Sequence, residues 1–177
     1  MAQILEDTRQ QAGKHENKAR WFADHGVEVE RRKLDFGDYM DASGSSNIAV
    51  DTKRSIDEVA MDCGRDHERF VREMERARAA GFRLVVLVEV GNPYRAVADI
   101  DGWVSGACKR CDLYRIRGCD PRESGGCAQY RSKPMQGTRL VKIMRTLEER
   151  HGCRFETCPP SRAAQRICAL LGVAYER

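Results

Sequence analysis

The chain has no apolar run long enough to cross a bilayer, which excludes a membrane-spanning helix at the level of sequence. Its opening residues, Met1 to Asp7, lack the basic and apolar regions of a secretory signal. A cytoplasmic or nuclear, reducing setting is therefore expected, with no secretion and no membrane partner. Internal repeats and low-complexity segments are missing too, so neither a repeat array nor a biased linker is expected. What is present is 177 residues, 33% charged, with a mean hydropathy of −0.61. That balance reads as folded rather than disordered. The length suits a single domain over residues 1–177, with a real core and room for a small appendage.

Ile4 to Asp7 reads as a short strand closing on an acid, and Lys14 to His25 as a helix ended by Gly26. Period-two alternation from Val27 favours a strand through Leu34. Gly37 to Met40 and Asn47 to Lys53 flank the turn residues Ser43-Gly44-Ser45-Ser46 and read as a hairpin. Ser55-Ile56-Asp57-Glu58 matches a capping box, so a helix begins there and breaks near Cys63-Gly64. A second helix over Asp66 to Ala80 carries Phe70, Met74 and Ala77 on one face and stops at Gly81. Leu84 to Val88 is continuously apolar, which suits a strand buried on both faces. Thr138 caps a helix striped by Leu140, Val141, Met144 and Leu147, Phe155 falls on a short strand, and Pro159-Pro160-Ser161 introduces a last helix. The order predicts an α/β domain around a mixed sheet flanked by helices. Residues 91–134 show little periodicity and many turn residues. They read as a cysteine-rich insertion held by something other than a hydrophobic core.

The chemistry concentrates between Gly37 and Asp57. Asp38 and Asp51 fall on adjacent strands of the hairpin, where their carboxylates converge on one ion. Lys53 lies two residues after Asp51, so strand alternation puts it on the same face. Hydrolysis of a phosphodiester needs an in-line water, neutralised phosphate charge and help for the departing oxyanion. Mg²⁺ supplies the last two from carboxylates and waters. The backbone carbonyl of Thr52 is a further candidate ligand. Asp57 has two readings: a member of the centre, or an acid that favours a helix N-terminus.

These residues resemble the XPF-type, structure-specific endonuclease branch of the PD-(D/E)XK nuclease superfamily. The family signature is G-D, a variable gap, then E-R-K-x-x-x-D. Gly37-Asp38 matches the first part, and Asp51-Thr52-Lys53-Arg54-Ser55-Ile56-Asp57 matches the second in register. Ile4 to Arg9 is similar to the family's opening strand with its D-x-R, and Arg65 to Glu89 to its basic-acidic helix and following strand. The likeness covers residues 1–90. Two departures stand out: the family's glutamate is Asp51 here, and its arginine is Thr52, with Arg54 adjacent as a partial replacement. The resemblance implies a restriction-endonuclease-like sheet, Mg²⁺ or Mn²⁺, branched or flap DNA as substrate, and often a homodimer. It also implies a catalytic set of Asp7, Asp38, Asp51, Lys53 and Asp57, supported by Arg9, Arg65 and Glu68.

Cys108, Cys111, Cys119 and Cys127 form a C-x2-C-x7-C-x7-C array, which in a reducing compartment reads as metal before disulfide. Four thiolates close a tetrahedral, structural Zn²⁺ site; the alternative is a set of free thiols in a loop. Net charge is +4, but Arg131, Lys133, Arg139 and Lys142 fall in a stretch without acids. That stretch is either a phosphate-binding surface or a solvated helix face. With Arg9, Arg54 and Arg65 these are the candidate DNA contacts. The leading expectation is a metal-dependent DNA endonuclease hydrolysing structured DNA. The rival is a zinc-containing DNA-binding module with an inactive nuclease core. A sequence-specific or mismatch endonuclease on the same fold is a third reading.

Overall fold

Six short strands, each built from apolar or alternating residues, pair into one mixed sheet. A computed structural model describes residues 3–10, 15–123 and 125–176. The strands are β1 (Ile4–Asp7), β2 (Val29–Arg32), β3 (Tyr39–Asp41), β4 (Ile48–Lys53), β5 (Arg83–Glu89) and β6 (Arg154–Cys158). Their spatial order is β2-β1-β3-β4-β5-β6. Only β3 runs against its neighbours β1 and β4; the other pairs are parallel. The helices are α1 (Glu16–Asp24), α2 (Ile56–Cys63), α3 (His67–Ala79), α4 (Gly106–Lys109), α5 (Asp112–Arg115), α6 (Gly137–His151) and α7 (Ala163–Leu171). No described helix is long and apolar enough to cross a membrane.

Strand alternation divides the core in two. Ala49, Val86 and Val88 face Val59 of α2, Phe70 and Met74 of α3 and Leu140 and Met144 of α6. Val50 and Leu87 face Phe22 of α1 and Ile167 of α7 on the opposite side. The run Leu84 to Val88 is buried throughout, as a strand covered on both faces must be. Each such side chain contributes about 1.5–3 kcal/mol of burial.

The sequence placed most elements within two or three residues. The expected strand to Leu34 shortens to β2, and the expected helix from Lys14 starts at Glu16, Lys14 lying outside the described residues. Gly137, not Thr138, opens α6. A Cβ at Gly137 would sit 2.1 Å from the carbonyl oxygen of Ile100, so only glycine lets the helix start against that backbone.

The insertion is narrower than residues 91–134. Ile100 and Trp103 are buried in the main core, on and after a 3₁₀ turn at Val97–Gly102, so this part rests on apolar packing after all. The coreless excursion starts afterwards. Its two ends meet in an isolated bridge between Val104 and Gln136. Among the described residues from 106 to 136, only Cys108, Cys111 and Pro121 are buried.

Candidate active site

The ends of β1 and β4 and the start of β3 lie side by side. Asp38 stitches them: its N–H donates to the Val50 carbonyl at 2.7 Å, and its own carbonyl accepts from the Asp7 N–H at 2.8 Å. Gly37 makes the approach feasible. Its φ is +66°, and a Cβ there would lie 3.2 Å from the Val50 oxygen. The Asp38 carboxylate is held by Thr52, whose N–H and hydroxyl both donate to Oδ2, at 2.8 and 2.6 Å. Oδ1 is left for another partner. Thr52 thus orients an acid through its side chain, a role the sequence did not reveal.

Asp51 is 4% exposed. Lys53 Nζ lies 2.9 Å from Asp51 Oδ2, so this buried oxygen has an ammonium directly beside it. Burial pushes the Asp51 pKa up to about 8. Lys53 pulls it down, while Asp38 and Glu73 push it further up. A buried carboxyl with two half-buried acids near it favours positive charge at this spot, and Lys53 supplies one such charge.

Lys53 is fixed from three sides. Besides Asp51, Asp62 Oδ2 lies 2.8 Å from its Nζ, and the Phe70 ring centroid lies 5.3 Å away. Burial lowers the Lys53 pKa, but the two carboxylates outweigh it, and the net shift is upward. The ammonium stays charged. Asp62 is tied in turn by Arg69, at 2.8 Å.

Two members of this cluster escaped the sequence reading. Asp62 is a buried carboxylate on the apolar stripe Ile56, Val59, Cys63 of α2, and that misplacement of charge was the available signal. Glu73 comes from α3 beside Phe70, Met74 and Ala77; its Oε1 accepts from the Gly37 N–H at 3.0 Å.

Other candidates lie away from the centre or have other work. Asp7 is buried, but Arg9 takes it up through Nε at 2.6 Å and backbone N–H at 3.2 Å, with Leu34 N–H at 3.5 Å. Burial raises its pKa, yet the Arg9 bonds prevail and the net shift is downward. Asp7 therefore anchors Arg9, which also donates to the Leu34 carbonyl at 2.7 Å. Asp57 is exposed and accepts from the Gly106 N–H at 2.8 Å. It joins α2 to the start of the coreless excursion. Ser55 caps α2 as expected, but Glu58 reaches to the Arg54 N–H, one residue beyond the usual box partner. Arg54, Arg65, Arg131, Arg139 and Lys142 are exposed. Lys133 bonds the Glu123 carbonyl. Glu68 is exposed, with Arg72 3.9 Å away.

The four clustered cysteines line a single cavity of about 330 Å³ with Tyr114 and Arg117. Burial raises the Cys108 pKa, with Cys127, Cys119 and Cys111 adding to it. Among the described residues, no three His, Cys, Asp or Glu side chains sit as an ion-ready group. Mg²⁺ needs only one or two carboxylates plus waters, and Asp38, which lies close enough to raise the Asp51 pKa, is the acid that could share an ion with Asp51. A scan against protein-family models and a search of curated proteins return no match for this chain.

Proposed function

We propose that the chain is a Mg²⁺- or Mn²⁺-dependent DNA endonuclease with a restriction-endonuclease-like fold of the XPF type, cutting branched, flap or otherwise structured DNA. One observation carries the reading: a buried Asp51 carboxyl at the end of β4, close to Asp38 and Glu73 and paired with Lys53 at 2.9 Å. Asp38 and Asp51 would hold the ion, with Glu73 close by. When bound, it supplies charge neutralisation at the scissile phosphate and activation of the attacking water.

The chain's own residues do the rest. Thr52 fixes the direction of Asp38, and Glu73 holds the Gly37 turn that delivers it. Asp62 and Arg69 hold Lys53 in place. Because Lys53 is kept protonated, it offers positive charge to the phosphate and the developing oxyanion rather than accepting a proton.

The reading extends to a structural Zn²⁺ on Cys108, Cys111, Cys119 and Cys127. An excursion of this length with almost no buried apolar side chain needs another source of stability; the four thiols lining one cavity are the donors a zinc ion would draw together, although they do not sit at ligand spacing. Eight free cysteines fit a reducing cytoplasm or nucleus.

Cleavage of duplex, flap, fork and four-way DNA with Mg²⁺ tests the proposal. Wild type should cut the branched forms in preference to plain duplex. Asp38→Asn should lose at least about 10²-fold in rate. Equal cleavage by both proteins would remove the proposed centre.

A further inference from the structure

Ile116 is the most exposed of the large hydrophobic residues among those described, at 75%, and it stands between Arg115 and Arg117. An aliphatic side chain in water is common when isolated. This one is mounted. The Cys119 N–H donates to the Leu113 carbonyl at 3.0 Å and closes a tight loop around residues 114–118. Tyr114 and Arg117 on that loop line the thiol cavity, with Cys111 and Cys119 at its two ends. The excursion that carries the loop is pinned by the Val104–Gln136 bridge and by the Gly106–Asp57 bond to α2, the helix directly after the catalytic strand.

Charge says what the loop faces. Residues 105–136 hold seven Lys or Arg against three Asp or Glu, a net of +4. The whole chain is also +4, so the remainder is neutral. The entire positive excess sits on the excursion, which suits a polyanion. An apolar side chain flanked by cations matches duplex DNA at a disturbed step, where the cations take phosphates and the apolar tip replaces lost stacking.

We propose that Arg115–Ile116–Arg117 is a wedge that enters DNA at an opened or unstacked base step, with Ile116 against the bases and the two arginines on flanking phosphates. The proposal rests on DNA being the ligand of the proposed nuclease, and not on cleavage. It gives the preference for structured DNA a physical source: a perfect duplex must be unstacked to admit Ile116, whereas a branch point is already open.

The test uses full-length protein carrying Asp51→Asn, so that the DNA stays intact, and forked DNA with 2-aminopurine at the branch point. Binding should raise the fluorescence as the base unstacks. Ile116→Ala should shrink that rise at least about threefold, and Ile116→Leu should retain it. Arg115→Gln with Arg117→Gln should weaken binding about tenfold at moderate salt and lower the salt slope by roughly 2. An unchanged rise with Ile116→Ala, or tighter binding of a matched RNA fork, overturns the wedge. Separately, wild type that fails to cut with Mg²⁺ while the Ile116-dependent rise persists would end the nuclease reading and leave the wedge standing.

Discussion

Replacing Lys53 with methionine should slow DNA cleavage about 10²–10³-fold and destabilise the metal-free fold by about 3–5 kcal/mol at pH 7. Both effects come from one ammonium. For the reaction, Lys53 is the cation fixed beside Asp51, and methionine keeps its length but not its charge. For the fold, removal leaves the carboxylates of Asp51 and Asp62 facing the cavity of a lost partner, with only Asp62 still bonded to Arg69. Breaking a buried pair from one side costs more than removing both members. The contact over the Phe70 ring is lost as well. Chemical melts should show a similar deficit at pH 5 and pH 8, because Asp51 holds its proton up to about pH 8 and loss of Lys53 only strengthens that hold. A variant as stable as wild type at both pH values would mean that Lys53 is not buried between these acids.

Asp51→Asn should also abolish cleavage, but with stability moving the other way. Asp51 has a folded-state pKa of about 8, well above the roughly 3.9 of an unfolded aspartate. Between those two values the folded chain holds a proton that the unfolded chain has released. Wild-type stability without metal therefore falls as pH rises through this window. Asparagine has no proton to lose and removes that slope. At pH 8 in EDTA the variant should melt above wild type, by about 2–4 °C for each kcal/mol recovered. The two should converge near pH 4. Added Mg²⁺ should raise the wild-type melting point and leave the variant's nearly unchanged. A wild type whose stability does not decline from pH 5 to pH 8 relative to the variant would contradict the crowded-acid description.

The contrast between these variants shows what the sequence could and could not carry. Asp51 and Lys53 were legible because a two-residue spacing on an apolar strand fixes the face each side chain takes. Ser55 and the limits of α3 were legible from capping and a clean apolar stripe. Asp62 and Glu73 were not, since their role comes from helix packing that brings α2 and α3 over the sheet, and no local spacing encodes it. Asp57 stood open between two readings, and the structure adds a contact 49 residues away that neither anticipated. The 3₁₀ turn Val97–Gly102 is not legible as part of the core because its apolar residues are too few to show a period. Ile100 nevertheless reaches the core because Gly137 lets α6 lie directly on that backbone.

The central claim is that Asp38 and Asp51 form a divalent-cation site. Titration of metal-free protein with Mn²⁺, read by the loss of the free-ion electron paramagnetic resonance signal, tests it most directly. Wild type should bind an ion that Asp51→Asn and Asp38→Asn each bind at least about tenfold more weakly. Equal binding by all three proteins would contradict the account.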